Sequence, residues 1–449
     1  MMNNYFHNKV LQHPKLKSLL FRWGDFLDVI LKNAGSLVGT QLVTSALGFL
    51  YWWLAARSFP PHVVGLASAS ISAMLLLGTI GVMGFGTLLM GMVRQEQDQA
   101  GNLIASAIVA VGLAGSLIGL LFVWSTTWIS SDLKVWATNF WNVFLFAFSA
   151  GLTSIVFVID QALIGLLRGG IQLWRNAIFA LAKLGALLAI SLWLSNASGV
   201  TIYSTWIIGN LISLLFLIGY ATRNGLRIFR YRPKTKLLHR VGFNALTHHS
   251  LNMALQAPGL ALPVIVTILL SAQSNAYFYA SWMIASFVFV GPIALATVLY
   301  AVGSTDTALL AQKFRFTLKL SLLIGLSACA VLMIVADQVL WIFGSDYAVQ
   351  GAWCLRILSL AVFPIILKNL YVALYRIQNR IVSAMRLVII GSFLELVLAV
   401  AGGKMGGLIG LSIGWVIAVI IEGLIMSHSV FQIINTKEIL EEQPCHLFR

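Results

Sequence analysis

Twelve runs of about 20 mostly apolar residues follow one another along the chain, separated by short polar connections. A helix of that length crosses the roughly 30 Å hydrocarbon core of a bilayer and satisfies its own backbone hydrogen bonds there, which an isolated strand or loop does not. The runs lie near residues 34–56, 63–92, 101–128, 140–166, 176–196 and 201–220, then 244–270, 277–303, 317–343, 352–375, 383–401 and 408–427. Charged residues make up 10% of the chain, against about 25% in a typical soluble domain, and the mean hydropathy is +0.91. Too little polar surface remains for a water-soluble fold. The chain reads as an all-α polytopic membrane protein of about 12 transmembrane helices, in two six-helix lobes around a central cleft.

The break between the lobes is the segment Arg223–Arg240, RNGLRIFRYRPKTKLLHR, which carries seven Lys or Arg and no acid. Such a segment is retained on the cytoplasmic side of a membrane. Counting cations in alternate loops gives 23 on the side of this belt and three, Arg57, Lys134 and Lys404, on the other. Both termini are therefore expected in the cytoplasm. The formal charge of +15 sits in short pieces between apolar runs and forms no continuous basic face, so it reports orientation and not nucleic-acid binding. The expected organisation is an interfacial amphipathic segment (1–33), an N-terminal lobe (34–220), the basic linker (221–243), a C-terminal lobe (244–427) and a cytoplasmic tail (428–449). The first segment repeats Leu16, Leu19, Leu20, Trp23, Leu27, Ile30 and Leu31 at helical spacing around Lys15, Lys17 and Arg22, the pattern of a helix lying in the headgroup region.

Each lobe opens with a polar stripe. Ser36, Thr40, Thr44 and Gly48 recur at i+4 on the first helix, and Asn244, His248, Asn252 and Gln256 on the seventh. An i+4 row stays on one face. Ser and Thr are readily satisfied by their own helix, whereas amide and imidazole groups in hydrocarbon need partners or water. The seventh helix is thus expected to face a wet cleft, with Ser36, Thr40 and Thr44 of the first helix looking across it toward Asn252 and Gln256, and Pro258 and Pro263 interrupt its hydrogen-bond ladder. Six ionisable residues fall inside spans: Asp160, Lys183, Arg356, Lys368, Glu395 and Glu422. Mutual pairing and an ion- or substrate-binding role are both open. Asp160 and Lys368 lie within reach of the cytoplasmic interface, while Glu395 and Glu422 are placed about six residues from opposite faces and read as unpaired coupling candidates. The glycines spaced by four, Gly402, Gly406, Gly410 and Gly414, favour close packing between helices of the same molecule. No nucleotide-binding loop or HExxH zinc motif occurs, and the three cysteines form no CxxC pair. No catalytic residue, metal site or cofactor is indicated. Without a nucleotide-binding loop no ATP motor is supported, and coupling to a proton or sodium gradient is the open expectation for the intramembrane acids Asp160, Glu395 and Glu422.

The stretch NAGSLVGTQLVTSALGFLYWWLAARSFPPHVVGLASASISAMLLLGTIGVMGFGTLL, with its LAAR turn, VGLAS and glycine-rich second helix, resembles the opening of polysaccharide-type transporters. These belong to the multidrug, oligosaccharidyl-lipid and polysaccharide (MOP) exporter superfamily. FGSDYAVQGAWCLRILSLAVFP is similar to that family's ninth-to-tenth helix connection. The resemblance implies a flippase of the bacterial plasma membrane. It would move polyprenyl-diphosphate-linked oligosaccharide from the inner to the outer leaflet by alternating access, for O-antigen, exopolysaccharide or capsule synthesis. Its partners would be that lipid-linked substrate, membrane lipids and other polysaccharide-assembly proteins. Flippases of the peptidoglycan precursor share the LAAR turn but carry further first-helix arginines where this chain has Ser45 and Tyr51, and they have two more C-terminal helices. Of that arginine cluster only Arg57 carries over. Arg suits a phosphate because its guanidinium donates two parallel hydrogen bonds; the alternative for Arg57 is an anchor that caps its helix. His248 and Arg57 are the expected phosphate contacts at the two mouths of the path. A multidrug cation antiporter of the same superfamily is the competing reading, to which Asp160, Glu395 and Glu422 would supply the acids. A membrane glycan polymerase or ligase fits less well, because no outward loop exceeds about 11 residues.

Overall fold

The computed structural model describes residues 35–93, 99–194, 196–224, 231–233, 242–305 and 310–435, with the backbone alone described at 35–43 and 305. The interfacial segment, most of the basic linker and the tail lie outside these residues, as do the side chains of Ser36 and Thr40. Thirteen α-helices and one short 3-10 helix make up the described chain: α1 (Gly35–Ser58), α2 (Pro61–Gly81), α3 (Phe85–Met92), α4 (Ala100–Ile129), the 3-10 helix Leu133–Ala137, α5 (Phe140–Gly165), α6 (Gly169–Trp193), α7 (Gly199–Arg223), α8 (Phe243–Leu269), α9 (Ala272–Thr305), α10 (Leu310–Trp341), α11 (Ser345–Ser359), α12 (Val362–Ile377) and α13 (Ile381–Asn435). Leu47–Arg449 form one unit, to which α1 contributes its second half.

Nine helices among the described residues are long and apolar enough to cross a bilayer, and the bent pair α11–α12 makes a tenth pass. α13 is a hairpin and supplies two passes. At Gly406 and Gly407 the backbone leaves the helical region, Gly407 at φ +58°, ψ −140°, a conformation open to glycine alone. The two arms then run antiparallel, with Gly402 against Gly410 and Gly414 against Leu398 so closely that no side chain fits between them. Counting the hairpin as two, the described residues supply eleven passes against the twelve predicted. Two predicted spans are broken. The run 63–92 is divided into α2 and α3, where Met83 and Gly84 take positive φ of 46° and 82°. The run 352–375 is divided into α11 and α12, which meet at 43°. α8 continues as one helix through Pro258 and Pro263.

Large apolar side chains stand out on the outer faces, with Leu113 69%, Ile334 74% and Leu424 65% exposed. Surfaces of that kind are tolerated in lipid and not in water. Within the bundle, α4 packs on α5, α6 on α7, α10 on α11, and α8 and α12 on α13. α2 bridges the two halves, packing on α5 and α7 on one side and on α8 and α9 on the other. Gly65 makes that seam possible, since the backbone of Ala272 occupies the space a side chain would need.

Candidate substrate cavity, its charged wall and its closed end

A cavity of about 520 Å³ opens among α2, α8, α9, α12 and α13. α8 points Asn252 and Gln256 into it, α9 contributes Tyr279, Trp282, Phe289 and Tyr300, α12 contributes Lys368, Asn369 and Arg376, and α13 contributes Glu395 and Trp415. Aliphatic side chains form the largest group in the wall, with five aromatic rings and three amides set among them, and its charged groups sit at two levels.

At the deeper level Lys368 is only 6% exposed. Its Nζ donates to Glu395 Oε1 at 2.6 Å and lies 2.7 Å from Glu422 Oε2. Trp415 Nε1 donates to the other Glu395 oxygen at 2.6 Å. The Glu422 carboxylate rests against Gly391, which has no side chain to exclude it, and its Oε1 has no hydrogen-bond partner. This corrects the expectation of two unpaired carboxylates near opposite faces. The α13 hairpin brings Gly391 beside Glu422 and Trp415 beside Glu395, so both acids reach one lysine at similar depth. Lys368 is likewise not at the interface. Two acidic side chains thus share one ammonium.

The upper level lies toward the helix ends that carry the basic linker. Arg376, on the last turn of α12, donates from Nη2 to Asn252 Oδ1 at 2.6 Å and stands over the Tyr300 ring at 5.8 Å. Its Nε has no partner, and among the described residues no carboxylate lies within ion-pair distance of it. Sequence reading missed Arg376 because it sat among loop cations counted for orientation. His248 lies one turn before Asn252 on α8 and is half-buried.

At the opposite end the two halves are tied together. Arg57 Nε and Trp53 Nε1 donate to Ile342 O at 2.7 and 3.1 Å, and Arg57 Nη2 donates to Trp341 O at 3.0 Å. The guanidinium also covers the Trp341 ring at 5.5 Å. The last carbonyls of a helix lack intrahelical donors and carry the negative end of its dipole, so Arg57 caps α10 and not its own helix. Nearby, Asn275 Nδ2 donates to Gly65 O at 2.8 Å and Ser68 Oγ at 3.0 Å, and Asp132 accepts from Ala272 N at 2.7 Å.

The remaining intramembrane charges lie away from the cavity. Asp160 pairs with Arg175 at 2.6 Å; Arg175 was expected in a loop and is 2% exposed. Arg356 pairs with Asp337 and stacks on Trp353. Lys183, 5% exposed, has no hydrogen-bond or ion-pair partner among the described residues, and its Nζ rests on Trp206, Phe179 and Tyr51 at 3.8, 4.8 and 5.1 Å from the ring centroids. Tyr51 is itself turned into the N-terminal half, hydrogen-bonded to Thr205 Oγ1 at 2.7 Å. Thr44 is half-buried on α1.

No family model matches the sequence, and no curated protein matches it. Solved structures do. A multidrug-resistance MATE family transporter of the MOP superfamily, in its inward-facing conformation, aligns with a TM-score of 0.71 at 13% identity, over 88% of this chain and 96% of that one. The outward-facing conformation of a MATE family transporter gives 0.58 at 14%, over 90% and 96%. A MOP superfamily transporter from Pyrococcus furiosus, described by the reverse polarity of its binding pocket, gives 0.60 at 15%, over 91% and 96%. These likenesses establish the fold.

Proposed function

We propose that the chain is a membrane exporter that carries a polyprenyl-diphosphate-linked oligosaccharide from the cytoplasmic to the outer leaflet of a bacterial plasma membrane by alternating access. The observation that carries this reading is the cavity wall. Aromatic faces and the amides of Asn252, Gln256 and Asn369 are the groups that stack on sugar rings and bond their hydroxyls. Arg376 stands at the linker end with no acid among the described residues to neutralise it, placed to meet a phosphate as it enters. Export of a glycan needs no chemistry at the site, and the wall presents contacts without an activated nucleophile. A solved structure with the same fold and a pocket of reversed polarity supports the view that pocket charge varies within this architecture. The tie between Arg57 and the end of α10, opposite the cavity mouth, is the contact that would part when the path opens outward.

A multidrug cation antiporter is the second reading, favoured by the two acids, Glu395 and Glu422, that share the one ammonium of Lys368. Cells carrying Arg376→Gln, or Asn252→Leu with Gln256→Leu, test the two. The flippase reading expects surface glycan to fall at least tenfold with unchanged protein level. Normal glycan together with lost resistance to cationic dyes would return the chain to the antiporters.

A further inference from the structure

The N-terminal half holds a buried ammonium that lies away from the cavity. Lys183 is on α6, one turn after Phe179, with Trp206 on α7 and Tyr51 on α1 beside it. Its Nζ sits 3.8 Å from the Trp206 ring centroid, 4.8 Å from that of Phe179 and 5.1 Å from that of Tyr51, all within cation–π range. The rings stand as the walls of a box. Trp206 is inclined at 82° to Tyr51 and at 76° to Phe179, so faces from three helices surround the ammonium. Tyr51 has its hydroxyl tied to Thr205 Oγ1 at 2.7 Å and to Ile202 O at 3.2 Å, which leaves its face for the lysine. Gly209 lets α7 close on α6, because a side chain there would come within 3.0 Å of Phe179 and 3.1 Å of the Lys183 stem. Among the described residues no carboxylate lies within ion-pair distance of Lys183, and Trp206 Nε1 is buried without a partner. The box therefore holds its cation by π faces alone.

We propose that Tyr51, Phe179 and Trp206 form a cage for a quaternary ammonium group, and that the chain closes this cage with its own Lys183. The lysine acts as a tethered cation and keeps free cations of that class out of the N-terminal half. A cage of π faces without a carboxylate selects by hydration. A primary ammonium is strongly hydrated and gives up its water at a penalty, whereas a quaternary ammonium holds water weakly and presents methyl groups to the rings, which makes it the preferred free ligand. Attachment to α6 offsets the penalty for Lys183, because a tethered group is present at high effective concentration. One side chain thus sets the specificity of this half. With Lys183 in place the cage takes no ligand, and with its stem removed the cage is a cation site. None of the cage residues lines the cavity described above, so the occupancy of the cage does not depend on what that cavity carries.

The test is equilibrium binding of radiolabelled tetramethylammonium to the purified full chain, with tert-butanol, an uncharged molecule of similar size and shape, as competitor. Lys183→Ala vacates the box and should bind tetramethylammonium at least about tenfold more tightly than the wild type or Lys183→Met, in which a side chain still fills it. Tert-butanol should compete at least about tenfold less well than unlabelled tetramethylammonium, and Lys183→Ala/Trp206→Leu should lose the gain. Equal binding in wild type, Lys183→Met and Lys183→Ala, or equal competition by the uncharged molecule, overturns the cage. Because Lys183→Ala leaves a hole that lowers stability, a double-mutant cycle of thermal midpoints uses variants that keep the space filled. Trp206→Leu should lower the midpoint more in the wild type than in Lys183→Met, where no charge faces the ring. Equal shifts in the two backgrounds overturn the cage even where Lys183→Ala cannot be purified.

Discussion

Replacing Arg57 by Met removes the two donors that cap α10 and the charge over Trp341 while keeping an apolar stem of similar length. Arg57 is solvent-exposed, so each charge-assisted bond is valued at about 0.5–1 kcal/mol, the scale of surface pairs and not of buried ones. The cation–π contact adds about 0.5–1 kcal/mol at an exposed site. Together the loss is about 2 kcal/mol, which moves the ratio of parted to tied conformations about 30-fold. Spin labels at Ser58→Cys and Ser345→Cys, both exposed beside this contact, report the change by double electron–electron resonance once Cys445 is replaced; Cys329 and Cys354 are buried. A longer-distance population should grow in Arg57→Met and grow further with Trp53→Phe. Identical distance distributions in wild type and the double variant would refute the reasoning that these donors hold the two halves together.

Gly407→Ala should lower stability by about 1–3 kcal/mol, because its φ and ψ are closed to other residues, whereas Gly406→Ala, at φ −139° with open space around it, should leave the thermal midpoint unchanged; equal midpoints for both would contradict the hairpin. Lys183→Met should be neutral or stabilising in the same assay. Three ring contacts contribute about 0.5–2 kcal/mol each against a desolvation penalty of several kcal/mol for an ammonium with no acceptor. A large loss of stability would show that Lys183 has a strong partner in the fold.

The membrane architecture was legible because bilayer thickness fixes helix length, and the four-spaced glycines from Gly402 to Gly414 announced the close approach that the α13 hairpin makes. The turn of that hairpin decided what was not legible. Linear distance put Glu395 and Glu422 near opposite faces, and only the fold-back at Gly406–Gly407 sets them on the same lysine. The amide stripe of α8 was readable from its spacing, and Asn252 and Gln256 do line the cavity. Its partner Arg376 was hidden among the orientation charges, since a cation at a helix end carries the same sequence signature whether it faces lipid headgroups or a cavity. Arg57 illustrates the same limit. Its place at the end of α1 suggested capping of its own helix or a ligand, while its acceptors come from residues more than 280 positions away.

The central claim is the movement of an anionic lipid-linked glycan through this cavity, and the direct measurement is flipping in proteoliposomes. A fluorescent polyprenyl-diphosphate oligosaccharide is placed in one leaflet, and its appearance in the other is read by protection from a membrane-impermeant quencher. The account predicts transfer by the wild type, at least tenfold slower transfer by Arg376→Gln, and no dependence on ATP. Vesicles in which the wild type exchanges a cationic dye for protons or sodium but leaves the glycolipid in its original leaflet would contradict it.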